Sequence, residues 1–278
     1  LRQIVVYHPV TANAMSSSGK HPVSVIILTK DEAGNIGQCI ESVKWASEII
    51  VYDSGSTDGT EGIARSMGAT VIRDTEWRGY GVQRQKAQAK AKFEWILMLD
   101  ADERVSESSA EEIGKAIGDS AAGVFFIPRL SWCFGDFIRR GGWYPDYVAR
   151  LYRESGAAWD DALVHEKLIV KESVSTKKLN HPLHHYTYRD VQHYLSKSAV
   201  YAGAWAESKY SKGRRATLAA AVLHAIWAAL RMYVFRLGFM DGRQGLLLSL
   251  LSSYSVFAKY AQLWELCRVR QSEEPEKQ

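Results

Sequence analysis

The stretch "EWILMLDADERV" (residues 94–105) decides how this chain is read. An apolar run from Trp95 to Leu99 ends abruptly in three acids, Asp100, Asp102 and Glu103. A short apolar run bounded by polar turn residues reads as a buried strand. The acids that follow are either a solvated turn or the start of a site for a cation and a charged ligand. Two acids two residues apart alternate in direction on extended backbone. One can face a ribose hydroxyl while the other reaches a divalent cation. Hard oxygen donors suit Mg2+ or Mn2+, which keep waters and bind substrate phosphates.

Upstream of this stretch, strands and helices alternate. "PVSVIILTK" (22–30), "SEIIVYDSGSTDGT" (47–60) and "TVIRD" (70–74) begin as short apolar strands. Between them lie "DEAGNIGQCIESVKWA" (31–46), with Ile36, Cys39, Ile40 and Val43 at helical spacing, and "EGIARSMGA" (61–69). The polar helix "GVQRQKAQAKAK" (81–92) precedes the fourth strand. This alternation with short links predicts right-handed βαβ units and a mainly parallel, Rossmann-like α/β sheet flanked by helices. In such sheets ligands bind beyond the carboxyl ends of the strands. Three polar clusters fall there: Thr29 to Glu32, Asp53 to Ser56, and Asp100 to Glu103. From about residue 122 the pattern becomes irregular. "GVFFIPRLSWCFG", "YVARLYR" and "EKLIVK" read as strands of a mixed region, and from about 190 the chain turns helical.

Size and composition permit an ordinary core. The 278 residues are 46% hydrophobic and 24% charged, with a net charge of +4. Three cysteines, Cys39, Cys133 and Cys267, form no CxxC pair, which points to a reducing compartment. No basic segment followed by a long apolar one opens the sequence, so the main domain is expected to face the cytoplasm. Residues 1–20 are expected to lie outside the core, 21–190 to form the catalytic domain, 191–270 a helical membrane-associating region, and 271–278 a polar tail.

Several residues have a role to fill. Asp53 ends a strand, and the small residues after it let backbone approach a ligand closely. An N-capped turn explains the same residues. In "WRGYGVQRQKA" (77–87), glycines flanked by Arg78, Arg84 and Lys86 suit a diphosphate. In "RRGGWYPD" (139–146), Arg139 and Arg140 could meet acceptor phosphates, and Trp143 could stack on a sugar ring or pack in the core.

In this order and spacing, "VSVIILTKDEAGNI", "IIVYDSGSTDGT" and "WILMLDADE" resemble the family 2 glycosyltransferases of GT-A fold, over roughly residues 22–190. A narrower resemblance is to bacterial lipopolysaccharide inner-core β-glucosyltransferases acting on heptose. It rests on "LDADERV", "RRGGWYPDYVARLYR", "LVHEKL", "HPLHHYTYRD" and the helical C-terminal third. The resemblance implies an inverting, metal-dependent enzyme. It puts Thr29, Asp31, Glu32, Asp53, Arg84, Asp100 and Ala101 on the donor, and Asp102 and His185 on Mg2+ or Mn2+. Glu166 becomes the base, chosen over Asp160 and Asp161, with His165 beside the acceptor. UDP-glucose is the implied donor and the lipid A–core the acceptor. A polyprenyl phosphate or other glycolipid acceptor is the alternative, and a non-catalytic sugar-nucleotide-binding membrane protein is the rival of another class. A nucleotidyltransferase would want a glycine-rich basic loop where "LTKDEAGN" stands.

In the C-terminal third, "TLAAAVLHAIWAAL" stops at Arg231 and "GLLLSLLSSYSVFA" at Lys259, each short of about 18 apolar residues. Ten Lys and Arg from Lys209 to Arg270 are interleaved with aromatics. Basic, aromatic, amphipathic helices read as a peripheral anchor on the cytoplasmic face of the inner membrane. Nucleic acid is the weaker partner, because the apolar content is high and no nucleic-acid motif occurs.

Overall fold

A computed structural model describes residues 19–118, 122–163 and 166–273. In chain order the first elements are β1 (His21–Thr29), α1 (Ile36–Glu41), β2 (Ala46–Asp53), α2 (Thr60–Ser66), β3 (Thr70–Arg73), α3 (Tyr80–Gln88) and β4 (Trp95–Asp100). Then follow β5 (Glu103–Val105), α4 (Glu107–Ile117), β6 (Val124–Cys133), β7 (Asp136–Phe137), β8 (Asp146–Arg153), β9 (Ala157–Trp159), β10 (Leu168–Val170), β11 (Thr176–Lys178) and β12 (Leu183–Tyr188). Three long helices close the chain: α5 (Val191–Ser211), α6 (Leu218–Leu230) and α7 (Gly242–Glu273).

Contacts divide the chain into two units. The first holds residues up to Pro128 together with Tyr147–Leu183; the second holds Arg129–Asp146 and the residues from His184. The chain therefore passes between units within β6, at the start of β8 and at the start of β12.

In the first unit the strand order is β3-β2-β1-β4-β8-β6. Strands β3, β2, β1 and β4 are parallel, and β8 runs antiparallel to β4. The sheet is thus mixed, with the expected parallel half. Alternation of side chains explains why the strands are apolar throughout. Val23, Val25 and Ile27 face one core with Ile36, Cys39 and Ile40 of α1. Ile26 and Leu28 face the other, with Ala87 of α3, Tyr152 and Trp159. Burying each such aliphatic side chain stabilises the fold by about 1.5–3 kcal/mol. The one polar residue in this run, Ser24, is satisfied by donating to Glu48 Oε2 at 2.6 Å. Helix α4 starts where Ser106 accepts from the Ser109 N–H.

In the second unit β6 and β7 form a hairpin through Phe134 and Gly135, both with positive φ (55° and 99°). That turn matches the twist of the paired strands. Cys133, Ile138, Tyr194, Met232 and Leu248 form a core there. Asp190 caps α5 and Thr217 caps α6. Buried alanines, Ala202 and Ala206 on α5 and Ala221 and Ala225 on α6, leave room for α7 to approach. Ser253 of α7 donates to the Ala225 carbonyl at 2.8 Å, and Ser255 to Ser198 at 2.9 Å. All three cysteines are free and buried.

Two expectations about the C-terminal third change. Helix α6 does not stop at Arg231, because a π turn (Arg231–Phe235) carries it on. Leu218–Phe235 is consequently an 18-residue helix, long and apolar enough by length and composition to cross a membrane, and only 17% of it is buried. Helix α7 runs to Glu273, into the stretch expected as a polar tail.

Candidate active site

Strand register brings the three polar clusters to one sheet edge in the first unit. Thr29 pairs with Asp53 between β1 and β2, and Leu28 pairs with Asp100 between β1 and β4.

The first two clusters lace to each other. Asp31, held at φ 54°, accepts from the Thr57 N–H at 2.7 Å, and its own N–H donates to Ser56 Oγ. The Glu32 and Ala33 N–H groups donate to Thr60 and Asp58. The Glu32 carboxylate accepts from Asn35 at 2.7 Å. Asp53 is fully buried; Oδ1 accepts from the Gly55 and Ser56 N–H groups and Oδ2 from Ser56 Oγ. Asp31, Glu32 and Asp53, expected on the nucleotide, thus brace the loops at this sheet edge. Among the described residues Thr29 Oγ1 is buried with no hydrogen-bond partner.

The third cluster is built around arginines. Arg84, 3% exposed, donates through Nη2 to Asp100 Oδ1 at 2.6 Å and through Nε to Glu166 Oε1 at 2.9 Å. Two carboxylates distant in sequence thus meet on two nitrogens of one guanidinium. Arg150 pairs with the other oxygen of Asp100 and with Glu103 Oε1. Glu103 is fully buried, and its other oxygen accepts from the Asp100 N–H at 3.0 Å. Burial pushes the Asp100 carboxyl upward, but Arg150 and Arg84 outweigh it and hold the group well below the usual carboxylate range. Asp100 therefore stays ionised throughout the physiological range.

Glycines at the start of α3 bring Glu166 here. The Tyr80 and Gly81 N–H groups donate to the Leu163 and Ala162 carbonyls. A Cβ at Gly81 would lie 1.9 Å from the Asp160 carbonyl oxygen, and one at Gly79 would lie 2.7 Å from the Leu163 Cα. Only glycines let these backbones meet. Trp159 lies under Arg84, 4.8 Å from the guanidinium carbon to the ring centroid.

Several expected roles shift. Ala101, expected on the donor, is 2% exposed and its side chain packs in the core. Its carbonyl accepts from Arg104 Nη1. Arg78 pairs with Glu76, and Lys86 with Asp74 at 2.8 Å, so Arg84 alone of the three cations joins the acidic cluster. Asp160 closes its own loop by accepting from the Lys167 N–H, and Asp161 accepts from Gln85. His165 lies outside the described residues.

Asp102 follows Asp100 by two residues, half-buried. Among the described residues no group of three His, Cys, Asp or Glu could hold a metal by itself. A Mg2+ or Mn2+ at Asp102 would draw further donors from water and phosphate oxygens. That donor set suits Mg2+ or Mn2+ carried in with a diphosphate.

The remaining predicted residues lie in the second unit. The Arg139 and Arg140 N–H groups donate to Asp241 Oδ2 at 3.0 and 2.7 Å, while both residues are exposed. Trp143 packs edge-on against Tyr188. Thr187 Oγ1 meets His185 Nδ1 at 2.7 Å. The three histidines of "HPLHHYTYRD" part company: the His181 N–H donates to Glu112, His184 packs on Phe137, and His185 meets Thr187.

Sequence reasoning missed Arg150 and Trp159 as members of the constellation, whereas Glu103, one of the three acids after the strand, steadies its neighbour Asp100. The available signal was an arginine inside the apolar strand "VARLYR", where a buried cation demands an acidic partner.

A parallel sheet that collects acids at its strand ends, with a mixed extension beyond, is the GT-A architecture of glycosyltransferases. Residues 24–173 match glycosyl transferase family 2, and the chain belongs to that family. The chain is 28% identical over 258 residues to an uncharacterized glycosyltransferase of Rickettsia bellii, covering 88% of this chain and 86% of that one. It is 27% identical over 261 residues to the lipopolysaccharide core biosynthesis glycosyltransferase LpsC of Rhizobium meliloti, covering 87% and 94%. Among solved structures, the mannosyltransferase PcManGT of Pyrobaculum calidifontis, in complex with GDP-Man and Mn2+, aligns with a TM-score of 0.48 at 13% identity, covering 93% of this chain and 81% of that one.

Proposed function

We propose that this glycosyltransferase moves glucose from UDP-glucose to a heptose of the lipopolysaccharide inner core, with inversion, at the cytoplasmic face of a bacterial inner membrane. The observation that carries the mechanism is the pair of carboxylates on Arg84, Asp100 on Nη2 and Glu166 on Nε. The similarity to LpsC supports a lipopolysaccharide acceptor.

Inversion needs one in-line displacement. The acceptor oxygen bonds to the anomeric carbon as the bond to the diphosphate oxygen breaks. The acceptor proton passes to Glu166, a carboxylate within the cluster. Asp100, kept ionised, accepts from a ribose hydroxyl. Among the described residues Arg84 Nη1 is buried without a hydrogen-bond partner, a donor that the diphosphate would satisfy. Thr29 Oγ1 is a second such group at the same sheet edge. A Mg2+ or Mn2+ held by Asp102 would supply neutralisation of the leaving diphosphate.

Peripheral membrane binding is part of the same proposal. Leu223, Ile226, Trp227, Val234 and Phe235 are exposed along α6 and its π turn, with Arg231, Arg236 and Arg243 exposed nearby. Apolar side chains collared by cations suit an anionic leaflet.

The test is donor turnover with Mn2+, a panel of nucleotide sugars, and either core oligosaccharide or polyprenyl phosphate as acceptor. UDP release with the core acceptor is expected to fall at least about 100-fold in Asp102→Ala and in Glu166→Gln. Full activity in Asp102→Ala removes the metal assignment, and full activity in Glu166→Gln places the base elsewhere. Turnover on polyprenyl phosphate alone replaces the acceptor.

A further inference from the structure

The second unit contains a cavity of about 300 Å3, lined by Arg129, Ser131, Trp143, Asp146, His185 and Thr187, with Tyr188 beside them. This is the lower end of ligand-cavity sizes, room for one small ring. Its walls differ in kind. Trp143 is half-buried and propped edge-on by Tyr188, ring centroids 6.3 Å apart. Opposite chemistry comes from Arg129, whose Nε and Nη2 both donate to Asp146 Oδ2, at 2.9 and 2.6 Å. Thr187 and His185 add a hydroxyl and an imidazole in contact with each other.

We infer that this cavity binds a neutral sugar ring of the acceptor. A saccharide has a C–H face, which packs on an aromatic ring, and hydroxyls that both donate and accept. The lining offers each counterpart: an indole, a guanidinium as donor, a carboxylate as acceptor, and hydroxyls that do either. A free anion suits it poorly, because Asp146 already neutralises Arg129. An apolar ligand suits it poorly, because it would strip water from the ion pair without replacing its hydrogen bonds. His185 is then a wall of a saccharide subsite, and Asp102 holds its cation without it. The inference rests on the transfer to a lipopolysaccharide sugar proposed above and adds the residues that grip it.

Binding is testable without donor or turnover. Methyl glycosides of heptose, glucose and mannose are offered to the full chain, and saturation transfer to their ring protons is measured by NMR. At least one glycoside is expected to be saturated, with its signal reduced at least about fivefold in Trp143→Ala and in Thr187→Val, and undisturbed by inorganic phosphate. In transfer assays the same variants are expected to raise the acceptor KM about tenfold while the donor KM stays put. Thr187→Val removes only a hydroxyl, so it decides the matter if Trp143→Ala lowers the melting temperature. Three results overturn the inference: no glycoside saturated, equal saturation in both variants and the parent, or displacement by phosphate. Trp143-dependent glycoside binding in a protein that does not glucosylate heptose upholds the cavity and overturns only the acceptor's identity.

Discussion

At Asp100 two guanidiniums meet one carboxylate, and the second of them, Arg150, also neutralises a fully buried Glu103. Removing one partner of a buried pair leaves an uncompensated charge, at a cost of about 3–5 kcal/mol. Arg150→Met is expected to destabilise by that order, read as a lower urea midpoint, and Glu103→Gln in the same chain to recover part of it. An unmoved midpoint would mean the pair contributes nothing. Asp74 gives a pH signature. Lys86 and Tyr52 hydrogen-bond it and lower its pKa to about 2. A depressed carboxylate contributes stability that is complete above about pH 4 and is lost as pH falls towards about 2. Melting temperatures should drop through that window, and drop less in Asp74→Asn. The residues around Asp100 were legible in the sequence to different degrees. Asp100 announced itself because three acids followed an apolar strand. Arg150 did not, because one arginine in a strand looks like an outward-facing residue until the burial of its neighbours is known.

Among the elements, α3 positions the chemistry through its first turn. The glycines at 79 and 81 allow backbone contact with the 160–163 segment, which leads to Glu166. Gly81→Ala is expected to force those backbones apart, costing about 1–3 kcal/mol as overpacking does. Turnover should fall with it, by about tenfold or more, because Glu166 loses its place on Arg84. Normal kcat with a normal melting temperature would show that the contact is dispensable. The alternating half of the sheet was legible because each strand is apolar on both faces and each link is short. The length of α6 was not. Helix continuation depends on backbone hydrogen bonds, which Arg231 does not interrupt, whereas the reading by apolar run stopped there. The lacing of the Asp31 and Asp53 loops was equally hidden, since side chain-to-backbone partners 25 residues apart leave no periodic trace.

For the molecule as a whole, the exposed ridge of α6 is the surface through which membrane binding is proposed. Trp227→Ser together with Phe235→Ser is expected to cut co-sedimentation with anionic vesicles at least about tenfold, with the melting temperature kept, because both side chains are about half exposed or more (54% and 67%). Undiminished sedimentation would exclude the ridge as the contact. The division into units has a consequence in time. Arg129–Asp146 belongs with helices that are encoded much later: Cys133 and Ile138 share a core with Met232 and Leu248. At a translation speed of roughly 5–20 residues per second, this segment leaves the ribosome about 5–20 s before those partners exist. The nascent chain therefore carries an apolar hairpin without these partners while roughly 100 further residues are added, an interval in which a chaperone at the ribosomal exit would find it uncovered.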